Sequence, residues 1–303
     1  FHALVLTADG RVFAWGANYK GQLGLVVQRS LATPAALPRA AFGEAGVVSS
    51  IAAGDLHSMA ITSCGALFVW GHDDNGQLGL GDAATWGNTA APTCVPEVAG
   101  AAFAAAGRQT SMVVDTHGKV WSAGDNAYGQ LGHGDRVRRT RFAQITEPEA
   151  FSTERICGLD CADDHTAAVT EAGHVWTWGC NNSGCLGYHG KSSSLAPTQV
   201  PPASFGKEMY MASVFCGDEC TAAVSTRGDL FLWGAKRRHV LGHRHRQELG
   251  SVGGQWRRRA SMPTKIFMHG PVGRGARLSL QHELAFAMVV HARLGRGSVF
   301  FEL

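Results

Sequence analysis

The chain of 303 residues lacks the features that mark membrane-spanning proteins and polyelectrolytes. Its apolar run from 284 to 290 has seven residues, which suits a buried strand, and no run approaches the roughly 18 that a membrane helix needs. Charged residues make up only 17% of the chain, and the formal net charge is +3. No secretory segment is visible. The overall charge therefore implies no global polyelectrolyte role.

The motifs of common enzyme classes are also missing. The recurring Gly-Gln-Leu-Gly runs lack the Lys-Ser/Thr that completes a phosphate loop, and no Gly-x-Ser-x-Gly nucleophile elbow occurs. The adjacent Asp73 and Asp74 resemble the start of a calcium loop, but the glutamate at its twelfth position is absent. We therefore predict no catalytic residue and no cofactor.

The placement of the eight cysteines follows the repeat and does not match the spacing of a zinc site. None of the short gaps has the two intervening residues of a zinc ribbon; the pairs are Cys157 and Cys161, Cys180 and Cys185, and Cys216 and Cys220. We predict no bound metal. Reduced thiols are typical of an intracellular protein, either cytoplasmic or nuclear.

A Trp-Gly phrase recurs along the chain at a nearly fixed period. The phrases begin 55, 53, 55 and 55 residues apart, at Trp15, Trp70, Ala123 (in place of Trp), Trp178 and Trp233. A Gly-Gln-Leu-Gly run follows each at the same offset, degraded in the last two units to Gly184-Cys185-Leu186-Gly187 and His239-Val240-Leu241-Gly242. A period of this length, rich in short strands and glycine turns, indicates a propeller or a solenoid.

One unit contains four short strands and no helical periodicity. In the second unit we expect strands at 47–54, 57–62, 67–71 and 92–95, the last being an outer strand because it contains a proline. Gly65 closes the hairpin between the second and third strands, and the equivalent glycine recurs in the first five units. The third-strand tryptophans are expected in the core between units. The fold class is therefore all-β, with four-stranded propeller blades.

The unit count is uneven. Six hairpin units are visible, the sixth beginning near Phe286, but only five outer strands follow, and the first unit lacks its opening strand. The chain starts in mid-repeat and ends after Val299–Leu303. We expect a fragment forming one propeller domain over 1–303, with repeats near 1–46, 47–99, 100–150, 151–206, 207–272 and 273–303.

These signals together resemble the regulator of chromosome condensation (RCC1-like) repeat family over nearly the whole chain. Three features recur together: a Gly-x-x-His-like phrase before the second strand, the Trp-Gly phrase, and the Gly-Gln-Leu-Gly run followed by Pro-x-x-Val. The resemblance implies most of a seven-bladed ring. Members of the family exchange guanine nucleotide on the GTPase Ran, bind partners within ubiquitin ligases and ciliary GTPase regulators, or serve plants as an ultraviolet-B photoreceptor.

The segments before the second strands hold the candidate binding residues. In the family, carboxylates and a histidine in these loops help to contact the GTPase, and the matching positions here are Asp55, His57, Asp164, His165 and Asp218. Each could instead hydrogen-bond turn backbone. The photoreceptor depends on a Gly-Trp-Arg-His-Thr phrase, and none of these segments carries tryptophan. The β-wedge of the exchange factors has no counterpart in the regularly spaced early repeats.

An irregular basic loop interrupts the fifth unit. Trp233 and Pro263 are 30 residues apart where the first and fourth units have 19. The whole loop carries three histidines and a basic patch formed by Arg237, Arg238, Arg244, Arg246, Arg257, Arg258 and Arg259. The patch is either a solvated loop or a weak contact for an acidic surface or nucleic acid. A smaller basic run lies at 136–141.

Two functions follow as hypotheses. The first is a protein-interaction propeller that docks a partner through its loop face, within a larger signalling or ubiquitin-ligase protein. The second is guanine-nucleotide exchange on a Ran-like small GTPase, which would require tighter binding of the nucleotide-free GTPase than of the loaded form. Neither needs intrinsic catalytic chemistry.

Overall fold

The computed structural model describes residues 2–26, 29–43, 46–81, 87–190, 193–235, 259–266 and 299–302. These residues form five four-stranded sheets, the blades of a β-propeller. The strands are, in chain order, β1 (His2–Leu6), β2 (Val12–Ala17), β3 (Ser30–Ala36), β4 (Val48–Ala53), β5 (His57–Thr62), β6 (Leu67–Gly71), β7 (Thr89–Val95), β8 (Ala101–Ala106), β9 (Thr110–Asp115), β10 (Val120–Gly124), β11 (Arg139–Gln144), β12 (Ile156–Cys161), β13 (His165–Thr170), β14 (Val175–Cys180), β15 (Ser193–Gln199), β16 (Met211–Gly217), β17 (Cys220–Ser225), β18 (Leu230–Ala235), β19 (Arg259–Ile266) and β20 (Val299–Glu302).

Blades two to five are antiparallel meanders of consecutive strands. Their strand orders are β4 to β7, β8 to β11, β12 to β15 and β16 to β19. The first strands of successive blades pack against one another, so they form the inner edge of the propeller, and the fourth strands lie outermost. The prediction of four short strands per unit is confirmed, and the predicted second-unit hairpin coincides with β5 and β6.

The first blade obtains its innermost strand from the other end of the chain. Its order is β20-β1-β2-β3, and β20 pairs in parallel with β1 while all other described pairs are antiparallel. The sequence shows no opening strand for the first unit, and in the structure β20 takes that place. Its first residue, Val299, lies 297 positions after His2. The predicted hairpin near Phe286 lies outside the described residues.

The core lies between neighbouring blades. Three of the four described blade boundaries contain a trio of aromatic rings with edge-on contacts, in which the connecting segment contributes one phenylalanine and the third strand of the following blade contributes two rings. The trios are Phe42 with Phe68 and Trp70, Phe151 with Trp176 and Trp178, and Phe205 with Phe231 and Trp233. The predicted core position of the third-strand tryptophans is confirmed at these boundaries.

The boundary between blades two and three is built differently. Ala123 stands where the other blades have tryptophan, and Phe142 of β11 stands where their outer strands have proline. The Phe142 ring is buried against Gly79. At the three other described boundaries the tryptophan indole packs on the equivalent glycine, as Trp70 does on Gly24. One aromatic ring thus replaces another from a different strand.

Helical structure in the described residues is limited to short connecting segments. They are the α-helix α1 (Glu149–Ser152) and the 3₁₀ turns Arg39–Phe42 and Pro202–Ser204, which carry the chain from the outer strand of one blade to the next blade. Within the described part of the chain, no helix is long and apolar enough to cross a membrane.

Candidate functional site

The inner loops join the first and second strands of each blade. In blades two to five they span 54–56, 107–109, 162–164 and 218–219. Because strand direction alternates, they emerge on the same face as the Gly-Gln-Leu-Gly loops, while the hairpin turns lie on the opposite face. The inner loops also touch: a Cβ added to Gly54 would lie 2.3 Å from the carbonyl oxygen of Gly107, and one added to Gly107 would lie 2.3 Å from that of Ala162. Glycine is required here by the close approach of neighbouring backbones.

Carboxylates gather on this face, five of them in the inner loops and Asp125 in the loop that follows β10. We call this set the acidic rim: Asp55, Asp125, Asp163, Asp164, Asp218 and Glu219. Burial raises the pKa of Asp164, and the charges of Asp163, Asp125 and Asp218 raise it further while Arg108 opposes them. The predicted residues Asp55, Asp164 and Asp218 therefore occur on one face, and Asp164 lies within the electrostatic reach of Asp218.

Arg108 is the cation within the acidic rim. Its Nε lies 3.7 Å from Oδ2 of Asp55, and its side chain is half exposed. It also lowers the pKa of Asp164. Arg108 therefore lies between carboxylates of the second and fourth blades and acts electrostatically on both.

The two predicted histidines lie inside the interface between blades. His57 and His165 are 0% and 1% exposed. The Nε2 atom of His57 lies 2.9 Å from the Ser111 hydroxyl of blade three, and Nε2 of His165 lies 2.9 Å from the Thr221 hydroxyl of blade five. Burial lowers the pKa of His57 to about 4, so the ring is neutral at pH 7. We therefore correct the sequence-based hypothesis: a partner cannot reach these rings, and they join blades instead.

Each of these contacts belongs to a recurring arrangement that we call the interblade relay. A hydroxyl at the second position of a blade's second strand donates to the backbone carbonyl in the preceding blade's Gly-Gln-Leu-Gly loop. The four pairs are Ser58 to Gln22 at 2.8 Å, Ser111 to Gln77 at 2.6 Å, Thr166 to Gln130 at 3.0 Å and Thr221 to Cys185 at 2.7 Å.

The third-strand tryptophans complete the relay. Their indole Nε1 atoms donate to the same carbonyls: Trp70 to Gln22 at 2.9 Å, Trp178 to Gln130 at 2.8 Å and Trp233 to Cys185 at 2.7 Å. At the boundary of blades two and three, where Ala123 replaces tryptophan, the Gln77 carbonyl accepts from Ser111. Buried donors and carbonyls are thereby satisfied across every described boundary between consecutive blades.

Sequence reasoning missed part of both arrangements. Asp125, Asp163 and Glu219 of the acidic rim and the neighbouring Arg108 were not predicted, although all but Asp125 lie in the segments before the second strands. The relay hydroxyls were missed too, yet a signal exists. Serine or threonine occurs at the second position of the second strand in blades two to five. A polar residue recurring at one buried strand position is a sign of a bonded partner.

The smaller basic run at 136–141 is largely occupied within the protein. Arg139 pairs with Asp135 at 3.0 Å, and Arg141 pairs with Glu97 at 2.6 Å. Arg136 donates to the Ala127 carbonyl and to the Ser193 hydroxyl of blade four, and Arg138 donates to the Asp74 carbonyl of blade two. The run therefore bridges three blades.

The larger basic patch lies almost wholly outside the described residues. Positions 237, 238, 244, 246, 257 and 258 are not described, and Arg259 is described only as the first residue of β19. Its role stays a prediction.

No group of three potential metal ligands is present among the residues that the structure describes. All eight cysteines are free thiols. Cys185, Cys161 and Cys216 are buried, and burial raises the pKa of the Cys185 thiol.

Comparison with known proteins places the chain among propellers of one family. The regulator of chromosome condensation (RCC1) repeat matches residues 9–61, 65–114, 117–169 and 172–224. The ultraviolet-B receptor UVR8 of Arabidopsis thaliana is 32% identical over 243 residues, which are 80% of this chain and 52% of that protein. The chain spans about half the length of the curated relatives it matches.

Two crystal structures show the same architecture. Human WBSCR16 is similar with a TM-score of 0.73 and 26% identity, covering 90% of this chain and 66% of that one. Prp20p from Saccharomyces cerevisiae, a structure described together with its binding properties to Gsp1p and histones, has a TM-score of 0.64 and 20% identity, covering 88% and 60%. The second likeness concerns the fold alone. Because four successive repeats match the family model, the chain belongs to the regulator of chromosome condensation (RCC1) repeat family.

Proposed function

We propose that this chain is a protein-interaction domain that docks a partner through its inner-loop face. The observation that carries the proposal is the acidic rim, in which loops from blades two to five bring their carboxylates to one face. The blades beneath are held by buried relays, so the loops present a rigid surface. Rigid presentation lowers the entropic cost of binding. Within a longer signalling or ubiquitin-ligase protein, such a domain would select the partner.

The chemistry of the rim favours a basic partner surface. Closely placed carboxylates repel one another, and this repulsion is relieved when a partner supplies lysine or arginine. Among the described residues, Arg108 is the cation beside these carboxylates. It would fix the orientation of the partner by pairing with a carboxylate that lies among the partner's basic residues. The free thiols of the chain support the proposal of an intracellular, cytoplasmic or nuclear location.

The test uses a basic polypeptide as probe. Binding of the whole chain to immobilised polylysine is measured at low and moderate salt, with polyglutamate as the reverse-charge probe. We expect the triple substitution Asp163→Asn, Asp164→Asn and Asp218→Asn to weaken polylysine binding several-fold. The matched control changes the same charge on the opposite face, through Asp9→Asn, Glu171→Gln and Glu208→Gln. Equal losses from both triple variants would contradict the rim as the docking surface.

A second candidate function is guanine-nucleotide exchange on a Ran-like GTPase. The specific observation in its favour is that Asp55, Asp164 and Asp218, which match the GTPase-contacting positions of the family, all lie on the inner-loop face. The fold likeness to Prp20p, whose crystal structure was described with its binding to Gsp1p, supports it further. The tryptophan-free inner loops give no support for light sensing, despite the likeness to an ultraviolet-B receptor.

Exchange is distinguished from docking by kinetics. Stopped-flow release of a fluorescent guanine nucleotide from purified Ran is measured with and without the chain. Exchange activity predicts acceleration well above background, which Asp55→Ala and Asp218→Ala should reduce. Acceleration unchanged by both variants would mean that other residues carry the activity.

The basic patch has a test of its own. Charge reversal at Arg257, Arg258 and Arg259 should weaken retention of the chain on heparin, and unchanged retention would reject a contact with an acidic surface or nucleic acid.

A further inference from the structure

Exposed apolar side chains concentrate on the face that carries the acidic rim. Among the described residues, six large hydrophobic side chains are exposed. Four lie in loops between a third and an outer strand, and two lie on the hairpin-turn side: Tyr19, Val26, Tyr128 and Val137 in the first group, Val47 and Tyr210 in the second. Single exposed apolar residues are normal, but their concentration on one face indicates an interaction surface.

The blade-three loop, residues 125–138 between β10 and β11, carries two of these side chains at its tip. Tyr128 is 39% exposed and Val137 is 62% exposed. The buried Asn126 side chain joins the two arms of the loop, because its Nδ2 donates to the Val137 carbonyl at 3.1 Å and to Oδ1 of Asp135 at 3.0 Å. Tyr128 and Val137 therefore lie on two arms that are held together.

A single buried glutamine ties the tyrosine to the acidic rim. Oε1 of Gln130 accepts the backbone N–H of Tyr128 at 2.9 Å, and Nε2 of Gln130 donates to Oδ2 of Asp125 at 2.9 Å. Gln130 itself is 1% exposed, so its side chain is fixed within the blade. The loop therefore presents an apolar contact and an anionic contact together, on a support that needs little ordering when a partner binds.

Charge changes sign between the two ends of this loop. Asp125, which directly follows β10, acts electrostatically on Asp164 of the acidic rim. Arg136 lies towards the outer strand and is exposed. It donates to the Ala127 carbonyl at 3.0 Å and to the Ser193 hydroxyl at 3.1 Å, and both of these acceptors are neutral. Basic groups of a partner are therefore attracted to the inner end of the loop and repelled from its outer end.

We propose that the blade-three loop is the apolar anchor of the docking face, and that it takes a protein segment in which an apolar side chain adjoins a cluster of lysine or arginine. This inference rests on the proposed docking function and names the chemistry of its partner. The apolar side chain packs on Tyr128 and Val137, and the basic cluster lies over Asp125 and the rest of the acidic rim. Aromatic side chains on fixed supports contribute much of the binding energy at interfaces.

The test uses two fluorescein-labelled peptides that differ only in apolar content. Both begin with six lysines, which are followed by two leucines in one peptide and by two serines in the other. Binding to the whole chain is measured by fluorescence anisotropy at several salt concentrations. We expect the leucine peptide to bind about tenfold more tightly, because it buries apolar surface. The ratio of the two affinities should persist at salt concentrations that weaken both, since salt screens only the charges.

Three substitutions locate the apolar contact. Tyr128→Ser and Val137→Ser should each weaken binding of the leucine peptide several-fold and leave binding of the serine peptide unchanged. Tyr210→Ser is the matched control, because Tyr210 is 55% exposed on the opposite face, and it should change neither affinity. All three side chains are exposed, so the variants should fold, which circular dichroism verifies.

The outcomes separate this proposal from docking itself. Equal binding of the two peptides, lost in the triple variant at Asp163, Asp164 and Asp218, would overturn the apolar anchor and retain the acidic rim as a docking surface. A leucine preference that survives both Tyr128→Ser and Val137→Ser would also overturn the anchor, because the apolar contact would then lie elsewhere. Binding of neither peptide would overturn both proposals.

Discussion

The ring of Phe142 lies against Gly79 so closely that a Cβ on that glycine would be 2.3 Å from the phenylalanine Cδ2. At the three other described blade boundaries a tryptophan indole makes this contact with the equivalent glycine, and Trp70 on Gly24 is one example. The third blade therefore preserves an aromatic–glycine contact although Ala123 has replaced its tryptophan. The ring arrives from the outer strand instead of the third strand.

This replacement predicts a large effect at Phe142. Phe142→Ala should lower the free energy of unfolding by about 3–5 kcal/mol, because it leaves a cavity at a buried boundary. Urea unfolding followed by tryptophan fluorescence measures the change. The exposed Tyr19→Ala is the control and should have little effect. Ala123→Trp alone should also destabilise the chain, because the added ring overpacks the boundary. Adding Phe142→Pro to Ala123→Trp should then raise the free energy of unfolding above that of the single variant, which would confirm that the two rings occupy the same space.

The interblade relay predicts a cost for losing one hydroxyl. Thr221→Val keeps the side-chain shape but leaves the Cys185 carbonyl and the His165 ring without the bonds that Thr221 provides. The free energy of unfolding should fall by about 1–3 kcal/mol, the cost of an unmet buried hydrogen bond. Thr93→Val on the outer strand β7 is the matched control. Equal small effects of both substitutions would show that the relay contributes no net stability.

Acid should weaken the blade interfaces through His57. Its pKa is lowered to about 4 by burial and, secondarily, by the charge of His72, whereas the unfolded value is 6.5. The unfolded state therefore binds more protons between these values, and stability falls as the pH drops from 6.5 to about 4. His57→Gln should reduce this slope by up to about 1.4 kcal/mol per pH unit. Unfolding curves at several pH values measure it, with the exposed His117→Gln as the control.

Asp73 should make the fold less stable as the pH rises, which is the opposite of the pH effect of His57. Burial raises its pKa to about 6, with a further contribution from Asp74, so the carboxylate destabilises the fold as the pH rises from about 4 to 6 and remains unfavourable above that. Its Oδ1 accepts the N–H of Leu78, a bond made by asparagine in blades one, three and four. Asp73→Asn should therefore raise the free energy of unfolding at pH 7.5 by on the order of 1 kcal/mol after solvent screening.

The control for Asp73→Asn is the reverse substitution at the equivalent position of blade one. Asn18→Asp places a carboxyl where Asn18 accepts the N–H of Leu23, and it should destabilise the chain at pH 7.5 but not at pH 4. A gain from Asp73→Asn that is equally large at pH 4 would exclude titration as its cause.

The local features of the fold and the packing of the third-strand tryptophans between blades could be predicted from the sequence, whereas the hydrogen-bond partners across the blade boundaries could not. The bounds of β5 and β6 follow from the turn glycine and the Trp-Gly phrase, which act within one hairpin. The partner of Ser58 is Gln22, 36 residues away, and nothing near Ser58 specifies it. His57 illustrates the same limit: its position matched a binding residue of the family, but only the neighbouring blade shows that it is buried. The parallel pairing of β20 with β1 had no local signal either.

The interblade relay also determines which segments of the chain can be exchanged with those of a relative. The carbonyl of Gln130 belongs to the third repeat, yet both of its donors, Thr166 and Trp178, belong to the fourth. A repeat cut out at its sequence boundaries would leave behind the loop on which its own second and third strands depend. A chimaera between relatives should therefore exchange segments that begin at a Gly-Gln-Leu-Gly loop and end before the next one, out of phase with the repeat that the sequence displays.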